Sequence, residues 1–157
     1  MTTNAQAPTK IYFEDVQVGD EIPKLVKSSL THLQLVRYAG ASGDFNPLHI
    51  NAEHAKTNAF GCRVAHGILI LAISSGQLNQ LGIFEGTTLA ILGMDNVRWS
   101  NPVRFGDTIV SHPSVIETRP STTPDRGIVK MIIKVVNQRD ELVLQYEQTL
   151  LMLRKTN

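Results

Sequence analysis

The pattern of apolar and polar positions divides the chain near residue 88. Before it, short helical patterns alternate with turn-forming residues; after it, runs rich in Val, Ile, Thr and Leu show apolar and polar side chains in alternation. In SLTHLQLVRYAG (Ser29–Gly40), Thr31 precedes Gln34 by the spacing of a capping box. Leu33, Val36 and Ala39, or else Leu35 and Tyr38, then offer an apolar side, which predicts a helix closed by Gly40. GDFNPLH (Gly43–His49) predicts a loop, because Asp, Asn and Pro favour turns and Pro restricts the residue before it. A second short helix is predicted from Asn51 to Gly61. The segment AHGILILAISSGQLNQLG (Ala65–Gly82) is apolar around most of its circumference in its first two turns. That predicts a helix enclosed on nearly all sides, its length telling against a buried strand. Near the start, IYFEDVQVGDEI (Ile11–Ile22) suggests a strand around a Gly-Asp turn, with irregular backbone as the equal alternative.

Four strand patterns follow: TTLAILGMDNVRWS, GDTIVSHPSVIET, GIVKMIIKVVNQ and ELVLQYEQTLLML. SNPVRFGD, TRPSTTPDRG and NQRDE supply the turns between them. Consecutive strands with such links make an antiparallel sheet, and without βαβ alternation a doubly wound parallel fold is excluded. An antiparallel sheet and one nearly all-apolar helix are most cheaply buried by curling the first around the second. The expectation is a single α+β domain of hot-dog fold over residues 11–157, preceded by a flexible tail over residues 1–10.

Composition narrows the function classes. With 15 Lys+Arg against 14 Asp+Glu, the formal charge of the 157 residues is +1, which carries no footprint for nucleic acid or an anionic membrane. The longest apolar run, ILILAI (Ile68–Ile73), is far short of the ~20 residues a membrane span needs. A single cysteine, Cys62, excludes an internal disulfide and fits a reducing compartment, so a cytoplasmic location is expected. No leader-like apolar core stands in MTTNAQAPTK.

The chemistry concentrates in two places. Asp44 and His49 stand five positions apart on a loop stiffened by Pro47. A carboxylate and an imidazole presented to one small volume can hold a water, the acid taking its proton and the imidazole adjusting charge or donating. His66-Gly67 stands at the expected N-terminus of the apolar helix, where backbone N–H groups are unpaired and the dipole is positive. Glycine there lets a carbonyl approach, and each well-placed donor stabilises an enolate oxygen by about 3–4 kcal/mol. These parts suit the reversible addition of water to an α,β-unsaturated thioester.

GDFNPLH followed by AHGIL closely resembles the MaoC-like hydratase motif, Gly-Asp-x-Asn-Pro-x-His with a downstream Ala-His-Gly. Asp44 precedes Gly67 by 23 positions, and the likeness extends from FEDVQVGDEI through VRWSNPVRFGDTI to the last strand. The resemblance implies a hot-dog (R)-specific enoyl-CoA hydratase or 3-hydroxyacyl-thioester dehydratase, a lyase that works without cofactor. It implies Asp44 and His49 as the catalytic pair, Gly67 as the donor to the thioester oxygen, and Ser75 as the small polar residue near the site. Asn46 belongs to the motif and is placed with the substrate-side residues, chiefly as a shaper of the loop. The implied substrate is an acyl-CoA or acyl-carrier-protein thioester, and the implied assembly is a homodimer.

Plainer readings stand beside these. Asp44 and His49 alone would pass for a turn aspartate and a surface histidine; the Ala-His-Gly downstream tells against that. His66 reads as a structural hydrogen-bonder, Ser75 equally as a packing residue, Cys62 as an inert thiol, and Trp99 as sheet packing. Asp44, His49 and His54 show no metal-ligand spacing, so no metal is expected. His32 and His112 carry no signal, and no Lys/Arg cluster along the sequence stands out for CoA phosphates. A hot-dog thioesterase and a non-catalytic acyl-thioester-binding subunit of a heteromeric dehydratase remain the alternative functions.

Overall fold

The computed structural model describes residues 10–23, 25–27 and 29–155, so the expected N-terminal tail lies, apart from Lys10, outside the described residues. Four strands of 12 residues each, β2 (Thr88–Trp99), β3 (Ile109–Pro120), β4 (Arg126–Asn137) and β5 (Leu142–Leu153), follow the four predicted patterns. A short β1 (Leu25–Lys27) joins them in one antiparallel sheet ordered β1-β3-β4-β5-β2. Alternation decides which face is inside: Val129, Met131, Ile133 and Val135 of β4 and Leu144, Tyr146, Leu150 and Met152 of β5 are buried at every second position. Full burial of side chains of this size stabilises by about 1.5–3 kcal/mol each.

The apolar helix, α4 (Gly67–Gln80), lies against this face. Its buried residues include Leu69, Ile70 and Leu78, and two polar ones, Ser74 and Gln77. The Ser74 hydroxyl bonds to those of Ser111 on β3 (2.9 Å) and Tyr146 on β5 (3.1 Å), and Ser111 donates to Gln77 Oε1 (2.5 Å). The sheet therefore wraps the helix in the predicted hot-dog manner. It does not enclose it on all sides: Ile68 is 51% exposed and Ala72 is exposed, because one curved sheet covers only part of a helix circumference. β2 is uncovered too, with Leu89, Ile91 and Leu92 exposed along a sheet edge.

The first half departs from expectation in boundaries more than in kind. α1 (His32–Ser42) starts at the Thr31 cap, where Gln34 N–H donates to Thr31 Oγ1 and Thr31 N–H to Gln34 Oε1 (2.9 Å). It runs through Gly40 and stops at Gly43, whose φ of 77° supplies the left-handed turn that Gly40 does not take. Leu35 and Ala39 form its buried side, whereas Leu33 and Val36 point outward. The predicted loop at Pro47–Ile50 is a one-turn helix, α2, because Asn46 caps it and Pro47 suits a first helical position. α3 (Ala52–Lys56) starts from Asn51 as expected but ends well short of Gly61. Ile11–Ile22 takes the irregular alternative, with one 3₁₀ turn at Phe13–Asp15 and a lone bridge from Glu21 to Ser114. Ion pairs from Glu14 to Arg154 (2.7 Å) and from Asp15 to Lys155 tie this segment to the end of β5.

Candidate active site

The loop after α1 is built by short polar side chains bonding their own neighbours. Ser42 Oγ accepts from Asp44 N–H (3.2 Å), Asp44 Oδ1 from Asn46 N–H (3.2 Å), and Asn46 Oδ1 from Leu48 N–H (3.0 Å). This chain of turns fixes where α2 begins and carries His49 to the wall of a cavity. His49 Nδ1–H donates to the carbonyl of Val64 (2.8 Å), so in the neutral ring Nε2 is left as the acceptor.

His66 occupies the residue before α4. Its Nε2–H donates to the main-chain carbonyl of Asp44 (3.0 Å), while its ring packs 3.8 Å from that of His49 and 4.9 Å from that of Tyr38. His66 is 2% exposed, and its Nδ1 has no hydrogen-bond partner among the described residues. A carboxylate oxygen of Asp44 and one ring nitrogen each of His49 and His66 lie within 4.8 Å of one another. The Asp44 and His49 side chains make no direct hydrogen bond to one another among the described residues, and atoms this close can share one bridging water. The third group near Asp44 and His49 is His66, while His54, set aside in the sequence, is not part of the cluster.

Gly67 opens α4 at the same cavity. The carbonyl of Gly67 accepts from the Trp99 indole N–H (2.9 Å), and a Cβ on Gly67 would stand 2.8 Å from that nitrogen. Any larger residue would therefore collide with the indole lying across the helix start unless the indole moved. The cavity, about 300 Å³, is lined by His49, Gly67, Ile70, Trp99, Val103 and Val143 among others. A mostly apolar wall with a few polar groups, His49, Ser100 and Asn101, is the usual make-up of a small-ligand site.

Of the residues singled out in the sequence, His49 and Gly67 line this cavity, whereas Asp44 is exposed and outside the lining, within 4.8 Å of a His49 ring nitrogen. Asn46 caps α2 and is not in the lining. Ser75 is half-buried two turns along α4, also outside the lining, next to the buried Ser74. Sequence reasoning undervalued His66, though its adjacency to Gly67 was the available signal. It also missed Trp99, which no local pattern separates from a strand residue.

The loop from Ser100 to Thr108 that completes the wall hangs on Asp107. Its carboxylate accepts from Arg104 N–H (2.8 Å), Gln138 Nε2 (2.6 Å) and Arg139 Nη1 (3.3 Å). Burial pushes its pKa up, but the bonds from Gln138, Arg104 and Arg139 outweigh this and hold the acid below its ordinary value of 3.8. Asn101 secures the other end by donating to the carbonyl of Leu142 (2.8 Å).

A family model described as a MaoC like domain matches residues 15–137. The chain belongs to the MaoC-like family. It is 32% identical over 108 residues to an (R)-specific enoyl-CoA hydratase of Rhodospirillum rubrum, covering 66% of this chain and 69% of that one. It is 31% identical over 114 residues to a 3-hydroxybutyryl-CoA dehydratase of Methylorubrum extorquens, covering 70% and 67%. The match to Protein MaoC of Klebsiella aerogenes, 34% identical, covers 65% of this chain but only 30% of that longer protein. Among solved structures, an unliganded R-hydratase from Pseudomonas aeruginosa superposes with a TM-score of 0.77 at 30% identity, covering 94% and 88%. An Archaeoglobus protein described as a monoamine oxidase regulatory protein reaches 0.87 at 34% identity, covering 96% and 99%. A double hot-dog protein of Mycobacterium tuberculosis, 18% identical with a TM-score of 0.81 over 94% of this chain and 46% of that one, shares the fold. MaoC-like relatives are thus named as hydratases and dehydratases, which are lyases by reaction class. No helix among the described residues is long and apolar enough to cross a membrane.

Proposed function

We propose that this MaoC-like chain hydrates a trans-2-enoyl thioester reversibly to the (R)-3-hydroxyacyl thioester, the thiol being CoA or the arm of a carrier protein. The observation that carries this is that the Asp44 carboxylate and a His49 ring nitrogen come within 4.8 Å, close enough to share one water, while His49 and Gly67 line one cavity. Asp44 and His49 hold one water between them. Its oxygen adds to Cβ as its proton is drawn off, and a proton returned from the pair goes to Cα. Charge passes onto the thioester oxygen in between and is met by the Gly67 N–H at the positive end of α4. Asn46 supports the pair by setting the loop, and Ser75, outside the cavity lining, takes no step in the scheme. No cofactor enters the scheme.

The uncovered apolar strip of β2, a long unpaired edge, suits pairing with a second copy. A homodimer would cover Leu89, Ile91 and Leu92 and enclose the acyl chain.

The test is loss of the enoyl-thioester absorbance when the purified chain meets crotonyl-CoA. Asp44→Asn and His49→Ala are each expected to lower the rate by at least 10²–10⁴-fold with folding intact. Near-normal rates in either variant would sink the assignment, and release of free thiol from a saturated acyl-CoA would replace it with thioester hydrolysis.

A further inference from the structure

Next to the catalytic cavity lies a second cleft of about 510 Å³, lined by Ala52, Lys56, Gly61, Cys62, Arg63, Arg104 and Phe105. Three cations from three separate parts of the chain meet there: Lys56 at the end of α3, Arg63 on the extended segment before α4, and Arg104 in the loop after β2. No Asp or Glu lines the cleft among the described residues. In a chain whose formal charge is only +1, this is a local concentration and not a general excess.

Arg63 is held without being neutralised, and the acid that feels the charge of Arg104, Glu141, lies outside the cleft lining. Arg63 reaches His32 Nδ1 (3.3 Å), and its guanidinium lies over the Phe105 ring at 4.5 Å. Neither partner is an anion, so the guanidinium is positioned while its charge stays available. Neither Arg63 nor Arg104 makes a salt bridge among the described residues. Lys56 pairs with Glu53, but both side chains are largely exposed (65% and 81%), where such a pair is worth little.

Position supplies the ligand class. The segment from Phe60 to Ala65 separates the two spaces: Phe60, Val64 and Ala65 face the catalytic cavity, and Gly61, Cys62 and Arg63 face the cleft. The Val64–Arg104 bridge closes the wall between them, with Val103 on the cavity side and Arg104 on the cleft side. Arg63 is four residues from Gly67, at most ~14 Å along a fully extended chain. A thioester carbonyl at Gly67 therefore leaves the far end of a pantetheine arm within reach of these cations. We infer that Lys56, Arg63 and Arg104 form the phosphate-binding site of the thioester substrate, gripping the phosphate that ends the pantetheine arm in CoA and in carrier-bound substrates alike. The inference rests on the proposed hydratase reading for its ligand, and on the cleft alone for its charge. Planar guanidinium groups suit such oxyanions because two N–H groups meet two oxygens at once.

Two measurements test it. In the first, kcat/KM is compared for crotonyl-CoA and for crotonyl-pantetheine, which lacks phosphate. Arg104→Ala and the milder Arg104→Gln, like Arg63→Ala, should reduce the ratio of the two values about tenfold, through KM for the CoA ester. In the second, calorimetry follows CoA itself, without chemistry: affinity should fall with added salt and drop about tenfold in Arg104→Ala. Equal losses on both thioesters, or CoA affinity unmoved by salt and by the substitutions, would overturn the site. A chain that binds CoA in this way yet turns over no enoyl thioester keeps the site and loses the hydratase reading. Hydration of crotonyl-pantetheine with no preference for CoA does the reverse. Titration with 4′-phosphopantetheine identifies the source: a shared loss assigns the phosphate common to CoA and carriers, and a loss for CoA alone assigns its adenosine phosphates.

Discussion

Replacing Gly67 by alanine sets a methyl group 2.8 Å from the indole nitrogen of Trp99 and 3.0 Å from Cε2, closer than such atoms approach. The backbone of α4 is pinned by its buried face, so the indole is the part that gives way. Its hydrogen bond to the Gly67 carbonyl (2.9 Å) is lost, at about 0.5–1.5 kcal/mol. Alanine recovers up to about 1 kcal/mol of helix propensity over glycine, so the net change in stability stays within about 1 kcal/mol. Catalysis is affected far more. A displaced indole crowds the space beside the Gly67 N–H, and loss of one such donor costs about 2.7–4 kcal/mol, or 10²–10³ in rate. Urea unfolding and kcat/KM on crotonyl-CoA measure the two effects separately. Trp99→Ala completes a double-mutant cycle: if the collision is the cause, the stability costs of the two substitutions do not add, and the double variant regains part of the activity lost in Gly67→Ala. Gly67→Ala with wild-type kcat/KM would refute both the clash and the role of that N–H.

Three further outcomes are expected. His66→Phe keeps a ring against His49 but loses the bond to the Asp44 carbonyl; kcat should fall about tenfold with little change in KM, and His66→Asn, which still carries a donor, should recover part of it. Asp107 has its pKa lowered in the folded state, so its contribution to stability is complete above the ordinary value of 3.8 and is lost as pH falls through the lower folded value. Acid unfolding should therefore shift to higher pH in Asp107→Asn, with the wild-type and variant curves converging only at the acid extreme. Dialysis against EDTA should leave crotonyl-CoA hydration intact; loss of activity restored by a divalent ion would mean that Asp44, His49 and His66 hold a metal instead of a bare water.

The sheet was legible because its signal is local. Alternation in VKMIIKVV and LQYEQTL reports burial on one face, and β4 and β5 carry it almost unbroken. The capping box at Thr31 and Gln34 was likewise written in adjacent residues. What escaped were features decided at a distance. Gly40 looks like a stop until the left-handed turn is seen to fall at Gly43. Ile11–Ile22 has strand-like composition, but its place is set by clasps to Arg154 and Lys155, about 140 positions away. The site divides in the same way. Asp44, His49 and Gly67 sit in short motifs, whereas Trp99 joins them only because the end of β2 lies over the start of α4. Lys56, Arg63 and Arg104 are likewise scattered along the sequence and meet only in the folded chain.

The hydroxyl and amide cluster of Ser74, Ser111, Tyr146 and Gln77 has a consequence for positioning. A rod coated in aliphatic side chains can turn or slide against a greasy surface at little cost, since one orientation buries about as much as the next. Four polar groups that satisfy one another in a single alignment remove that degeneracy: rotating α4 by one residue would strand several of them in a dry interior, at about 1–3 kcal/mol each. The cluster works as a key that indexes the helix. Its teeth are two turns from the chemistry, yet they decide where the first turn of α4 points its free N–H groups, while the surrounding aliphatic residues stay free to vary in shape.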